Sequence, residues 1–447
     1  MRNPVSINYP YLLQKAWPII LANAAVPLLG LVDTAVIGNV GTVEDLGAIA
    51  FGGLIFSFVY WGFGFLRMGT TGFTARAIGA GDDVEVRAVL GRALLLAVGL
   101  GVMLISLQWL ISLAAFSLLN GSEAVELVAR EYFSIRIWGA PATLATFALM
   151  GLLIGLGNSR QLLLVQLFLN GLNITLDVWF AGFLDWGVSG IAFGTIIAEW
   201  SAVIFAAWLI YIELRKRMPS GHSFWPLSKI LDREALAKTL SANRDIMIRT
   251  LLLVFSFAFF INQSARFGDV VLAANHILLQ LISFAAFFLD AYAFVVESLV
   301  GSSIGAGRRD IFDMAVKRST VLALITALLL AACLLLFGEF AVAVLTDLPE
   351  LRTAANSKLF LAAIYVCFSF AAFQLDGIFI GASATAQMRN AAFVSLAVFL
   401  LAWWLLIDRF AINGLWWAMI IYVAARADTL LMFYPGLRRS IPQGPAR

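Results

Sequence analysis

Only two cysteines and two histidines occur among the 447 residues, and Asp, Glu, Lys and Arg together make up just 13% of them. So few thiols exclude a disulfide framework. Cys333 and Cys367 have no metal-ligand spacing around them and read as packing residues of apolar segments. His222 falls in a loop and His276 near the end of an apolar segment, so no Ser-His, Cys-His or His-rich catalytic constellation can be assembled. The shortage of charge excludes most: an ordinary soluble domain carries about twice that fraction.

What fills the chain is hydrocarbon. Apolar residues make up 62% of it, and runs of about 20 apolar residues, the length a helix needs to cross about 30 Å of bilayer, recur from end to end. Twelve such spans are expected, beginning near residues 16, 48, 93, 130, 162, 190, 246, 270, 319, 357, 391 and 413. Their unbroken length excludes a β-barrel. Lys15 leads into a span too long for a signal-peptide core, so the first helix is expected to stay as an anchor.

One set of loops is basic, with Arg215, Lys216, Arg217, Arg308, Arg309, Arg438 and Arg439, and the alternate set is acidic, with Glu44, Asp45, Glu123, Glu126, Asp347 and Glu350. Positive charge marks the cytoplasmic side, which places both termini on the cytoplasmic side of the membrane. This topology accounts for the basic loops and the net charge of +3 without any nucleic-acid partner.

The chain also repeats itself. Ile78-Gly79-Ala80-Gly81 recurs as Ile304-Gly305-Ala306-Gly307, and Ile154-Gly155 recurs at the same shift of 226 as Ile380-Gly381. Val188-Ser189-Gly190-Ile191 is echoed by Ile412-Asn413-Gly414-Leu415. Six spans per copy is an even number, so the second copy enters from the same side as the first. The expected fold is an all-α integral membrane protein with twelve transmembrane helices in two parallel six-helix halves, residues 1–212 and 245–447. Residues 213–244 join them as a cytoplasmic linker, either solvated or forming a short amphipathic helix on the membrane surface.

Against this background a few polar groups stand out. Asp33 lies within the first span, where an ionised carboxylate costs about 2.5 to 3.5 kcal/mol near the bilayer centre. Six residues before it, Pro27 lacks a backbone N–H and its ring displaces the carbonyl of Asn23, which predicts a kink. Gln166, Asn170, Asn173 and Asp177 in the fifth span follow one another at steps of four, three and four, so they share one helix face that cannot meet lipid. Thr195 and Glu199 stand four apart in the sixth span. Spans one, five and six are therefore expected to surround a polar pocket. Interhelical hydrogen bonds could account for Gln166 and Asn170, at about 0.6 to 2 kcal/mol each. They account less well for the carboxylates. The second half carries a different acid set, Asp290, Glu297 and Asp376, and at the 226 shift Asp33 falls on Phe259. Arg136, Arg426 and Asp428 either pair locally or face a cavity. The Phe255, Phe257, Phe259, Phe260 and Phe284, Phe287, Phe288 clusters offer faces suited to flat organic cations.

The twelve-span plan, Pro27 to Gly38, Asn173-Ile174-Thr175-Leu176-Asp177-Val178-Trp179 and Leu375-Asp376-Gly377-Ile378-Phe379-Ile380-Gly381-Ala382 together resemble the multidrug and toxic compound extrusion (MATE) transporters. Arg244 to Arg249 resembles their DinF-like branch. The resemblance covers nearly the whole chain. It implies a monomeric antiporter that exports cationic amphipathic compounds by alternating access while protons or sodium enter, with no other cofactor. It places the proton site on Asp33, Asn173, Asp177 and Thr195. Pro27, Asn170, Glu199, Asp290, Glu297 and Asp376 are further candidates for a pocket or for substrate contact. The family's sodium-coupled branch pairs the tenth-span acid with a carboxylate in the seventh span, and here no carboxylate lies deeper in that span than Asp245. A lipid-linked sugar flippase would instead need buried bases for a pyrophosphate, for which Arg136 and Arg426 are the candidates. A membrane-embedded enzyme would need a nucleophile, metal cluster or acid-base pair, and the sequence offers none.

Overall fold

The structure, a computed structural model, describes residues 7–118, 122–218 and 223–442; the His222 of the linker lies outside them. Helices account for nearly all of it. They are α1 (Tyr9–Val40), α2 (Val43–Trp61), α3 (Phe65–Ala80), α4 (Asp83–Ser106), α5 (Gln108–Leu118), α6 (Glu123–Arg136), α7 (Ala140–Gly155) and α8 (Ser159–Asp177). After them come α9 (Gly187–Arg215), α10 (Leu227–Ile230), α11 (Arg233–Ala265), α12 (Asp269–Gly305), α13 (Arg309–Leu345), α14 (Pro349–Asn356), α15 (Leu359–Gly381) and α16 (Thr385–Ser440).

Among the described residues ten helical stretches are long and apolar enough to cross a membrane. A single 3-10 turn joins α2 to α3, and another joins α6 to α7, so each pair forms one crossing. The last stretch is two helices, because Ala411 breaks it at φ 48° and ψ −128° and the turn brings Gly414 against the Leu406 carbonyl. With that division and the 32-residue α1, the count reaches the twelve expected. The backbone of α1 runs through Pro27, whose side chain lies outside the described ones.

Two compact units emerge. One contains Leu21–Ile78 and Asp82–Leu240; the other contains Met1–Ile20, Gly79–Gly81 and Ser241–Arg447. In the first, α4 packs on α7 and α8 on α9; in the second, α12, α13 and α15 pack on one another and α15 on α16. The sequence repeat turns out to be a repeated backbone crossing. A Cβ on Gly151 would lie 2.4 Å from the Arg67 carbonyl oxygen, and one on Gly377, 226 positions later, 2.6 Å from that of Ala293. Gly155 likewise meets the Thr71 carbonyl and Gly381 that of Glu297. These glycines let α7 lie directly on α3 and α15 on α12, the close approach that helices in lipid depend on. Gly81 (φ 71°) and Gly307 (φ 63°) end the two equivalent helices in the left-handed conformation that glycine adopts without strain.

On α13 the buried positions Ala315, Ser319, Ala323, Ala327 and Ala331 fall every four residues, while Leu324, Ile325, Leu328 and Leu329 point outward. Small residues inward and large apolar ones outward is the pattern of a helix packed on protein on one side and lipid on the other. Cys333 lies on the outward side of this helix rather than in its packing seam.

The stretch read as a linker, 213–244, contains α10 and the first turns of α11. It docks on the start of α4: Lys229 Nζ lies 2.9 Å from Asp82 Oδ2, Arg92 donates to the Lys229 carbonyl at 2.8 Å, and Ile230 is buried against Gly91. Partial burial pushes the Asp82 carboxyl up. Its hydrogen bond from the Glu85 N–H and the Lys229 ammonium outweigh that and hold it below the usual carboxylate range.

Candidate functional site

The fifth-span stripe lies on α8. Asn173 and Asp177 are completely buried, and Gln166 and Asn170 nearly so. Asn170 Nδ2 donates to the Ala25 carbonyl of α1 at 3.0 Å, which ties α8 to the helix that carries Asp33, and Asn170 Oδ1 accepts from Gln166 Nε2 at 3.2 Å. Asn173 Nδ2 donates to Thr195 Oγ1 of α9 at 3.2 Å, and that hydroxyl donates to the Ile191 carbonyl at 2.8 Å.

Asp177 closes α8, and behind it the chain widens into a π-helical turn over Val178–Phe183. Such turns are frequent at functional positions. The Asp33 carboxyl faces that of Asp177 within hydrogen-bonding reach. Neither oxygen of Asp177, nor Oδ1 of Asp33, accepts a hydrogen bond from any described group, and Asn173 Oδ1 is unpaired beside them. Ionised carboxylates are acceptors only. Two that face each other away from donors can bond only when a proton lies between them.

The sixth-span acid Glu199 has a different neighbour. Arg136 of α6 grips it with both terminal nitrogens, at 2.9 and 2.6 Å, and both residues are buried. The guanidinium lies 5.2 Å from the Phe56 ring centroid, and Gly139 leaves room for the pair, since a Cβ there would come within 2.4 Å of Glu199 Oε2. Arg136 is near enough for its charge to act on Asp33 and Asp177, but its hydrogen bonds are spent on Glu199.

In the second half, Asp376 of α15 receives Arg249 of α11 and Arg426 of α16 on the same oxygen, Oδ2, the latter at 2.6 Å. Asp245 binds Arg389 at 2.7 Å and Arg244 at 3.3 Å. Asp290 is half-buried on α12, Glu297 is buried on the same helix where Gly381 crosses it, and Asp428 is exposed on α16. The candidate acids therefore sort by partner: Asp33 with Asp177, Glu199 with one arginine, Asp376 with two.

Sequence spacing gave no sign of Gly194, one residue before Thr195. A Cβ at this position would lie 2.4 Å from Asp177 Oδ1. The atom it meets is the tip of a side chain, so Gly194→Ala is expected to fold normally, with the carboxylate pushed aside. If the Asp177 carboxyl carries the exchange that the resemblance implies, that exchange in proteoliposomes should fall by about tenfold to a hundredfold, the usual cost of moving a reacting group by about 1 Å. Gly171→Ala on α8, with nothing within 4 Å of its Cβ, is the control. Equal activity of the two variants would show that the carboxylate's position does not matter.

The MatE family model matches residues 18–179 and 246–404. The chain is 36% identical over 419 residues to DNA damage-inducible protein F of Escherichia coli, covering 93% of this chain and 89% of that protein. It is 29% identical over 411 residues to the probable multidrug resistance protein NorM of Deinococcus radiodurans, covering 88% and 85%. A crystal structure of a MATE protein in complex with MaL6 superposes with a TM-score of 0.85 over 96% of this chain and 97% of that one, and at 19% identity this likeness speaks for the fold alone.

Proposed function

The chain belongs to the MatE family of multi-pass membrane transporters and is no enzyme, and from that premise we propose that it is a proton-coupled antiporter exporting cationic amphipathic compounds by alternating access. The observation that carries the proposal is the facing Asp33–Asp177 pair, in which Oδ1 of Asp33 and both oxygens of Asp177 are buried without a hydrogen bond of good geometry. Two carboxylates this close cannot both be ionised in a dry setting, so the pair holds a proton in this arrangement. Entry of water or of a cation supplies the missing partner and lets the proton leave. Exchange of proton for cargo cation at a shared acid is the simplest form of antiport.

Sodium coupling has less support here. A sodium ion needs several oxygen ligands, and the second-half acid Asp376 already carries two guanidiniums on one oxygen. Protein acting as a monomer in the cell membrane, with both termini on the cytoplasmic side, completes the reading.

Purified protein in proteoliposomes containing a pH-sensitive dye tests the coupling. Added ethidium should enter in exchange for protons that leave the acidic lumen, with an amplitude set by the imposed pH difference and indifferent to sodium. A response driven by a sodium gradient and absent under a pH gradient would overturn the proposal.

A further inference from the structure

The export reading leaves one buried ion pair without a task. Arg136 of α6 and Glu199 of α9 belong to the same unit as the two acids, and both are more than nine-tenths buried. A buried pair is a poor source of stability, because well-packed apolar residues of the same volume often do as well or better. Its place in an apolar half calls for another reason.

The pair is neutral as a whole but not in its effect. Both terminal nitrogens of Arg136 turn to Glu199, at 2.9 and 2.6 Å, so its charge rather than its hydrogen bonds is what reaches the aspartates. The guanidinium is the end of the pair whose charge acts on both Asp33 and Asp177, while Glu199 acts with it on the Tyr60 and Tyr132 hydroxyls. Around the acids of α1 and α8, the titratable groups are thus Tyr60 of α2, Tyr132 and Arg136 of α6, and Glu199 of α9. Arg136 is the cation among them.

The surroundings make that charge count. The Phe56 ring of α2 lies 5.3 Å from Phe133, 5.5 Å from Tyr60 and 6.3 Å from Tyr132 between centroids, and the guanidinium rests 5.2 Å from it. All four rings are buried. A Cβ on Gly52 would come within 2.3 Å of the Tyr132 ring, which is therefore held against α2. Packed rings exclude water, and a charge acts over several ångströms where water cannot screen it.

We infer that Arg136 is the counter-charge that lets the Asp33–Asp177 pair give up its proton, and that Glu199 sets how much of that charge the pair feels. Once the proton leaves, the acids carry added negative charge in an unscreened setting, and the guanidinium offsets part of it. Glu199 draws the guanidinium to itself and limits the offset, so that the acids can also take the proton back. The ion pair thereby sets the pH at which the acids exchange their proton, without touching the proton itself. This deepens the export reading and rests on its assignment of the proton to Asp33 and Asp177, but proton binding can be measured without transport.

Infrared difference spectra of the whole purified protein, recorded across a series of pH values, read the carbonyl stretch of a protonated carboxyl. The band that Asp177→Asn removes or displaces belongs to the pair. Glu199→Gln releases the guanidinium from its acid and should move the midpoint of that band down by about one pH unit or more. The double variant Arg136→Met, Glu199→Leu removes the counter-charge while keeping the pair neutral, and should move the midpoint up by about as much. Arg136→Lys keeps the charge but loses the two-pronged grip, and should stay within about half a unit of the parent. Shifts in opposite directions are not what a merely structural defect produces, and the double variant supplies the test even where Glu199→Gln yields too little protein. An unmoved midpoint in the double variant, an upward shift in Glu199→Gln, or a shift in Arg136→Lys as large as that of the double variant would overturn the inference. A parent protein whose band does not titrate, or is untouched by Asp177→Asn, would overturn the proton site and this inference with it. Failure of parent vesicles to take up ethidium under a pH gradient, with the midpoints moving as expected, would count against the export reading alone.

Discussion

Asp177→Asn is expected to abolish pH-driven export while making the protein harder to unfold. The two effects have one cause. Asparagine keeps the size of the side chain but brings an NH2 group, a permanent donor to the facing Asp33 carboxyl where the parent pair has one only while it holds a proton. Satisfying buried acceptors of this kind is worth about 1 to 3 kcal/mol, which should appear as a higher Tm in detergent. The amide cannot bind and release a proton, however, so the pair is fixed in an imitation of its protonated form. A pH difference of one unit supplies about 1.4 kcal/mol, or tenfold accumulation of a monovalent cation. The variant should show none of it. Asp33→Asn should behave alike, since the pair is nearly symmetric in its chemistry. A variant that still accumulated ethidium under a pH gradient would remove the pair from the coupling mechanism. A variant that lost both transport and stability would show that the carboxylates serve packing.

Glu199→Gln should have the opposite effect on stability. It leaves Arg136 charged and buried with a neutral partner, and breaking a buried pair in this way costs about 3 to 5 kcal/mol. The expected outcome is a marked fall in Tm and in the amount of protein recovered from membranes. Restoring neutrality should recover much of the loss, so the double variant Arg136→Met, Glu199→Leu is expected to be more stable than Glu199→Gln alone, because well-packed apolar residues often replace a buried pair at little cost. If Glu199→Gln melted like the parent protein, Arg136 would have another acceptor in reach and the pair would not be the structural clamp that its geometry describes.

The contrast between these two sites marks how far the sequence could be read. Asp33 and the α8 stripe are visible in one dimension, because a carboxylate in an apolar run and polar residues at steps of three and four are statements about a single helix. The spans and the break before Gly414 are equally local. Partnership across helices is not. Arg136 and Glu199 are 63 residues apart, Arg249 and Asp376 127, and no periodicity links them. Sequence left Arg136 and Arg426 open between a local pair and a cavity. The structure answers differently for each: Arg136 turns both terminal nitrogens to Glu199, while Arg426 shares its acid with Arg249. The π-helical turn after Asp177 left no compositional trace either, since Val178-Trp179-Phe180-Ala181-Gly182-Phe183 reads as ordinary apolar helix. Gly194 went unnoticed because a glycine matters only through what lies opposite it.

The glycine crossings bear on how such a transporter tolerates change. Carbonyls beneath Gly151, Gly155, Gly377 and Gly381 leave no space for even a methyl group, so α7 on α3 and α15 on α12 can neither roll nor slide, and each pair moves as one strut. Around those struts the acids differ freely between the halves: where Thr71 lies under the first crossing, Glu297 lies under the second. Bulk is forbidden at these crossings, while the acids are not repeated from one half to the other. Saturation libraries of this chain should accordingly lose membrane insertion at the crossings and at the Arg136–Glu199 clamp, and lose only cargo or ion preference at Asp33 and Asp177, so that one scaffold can be retuned without being rebuilt.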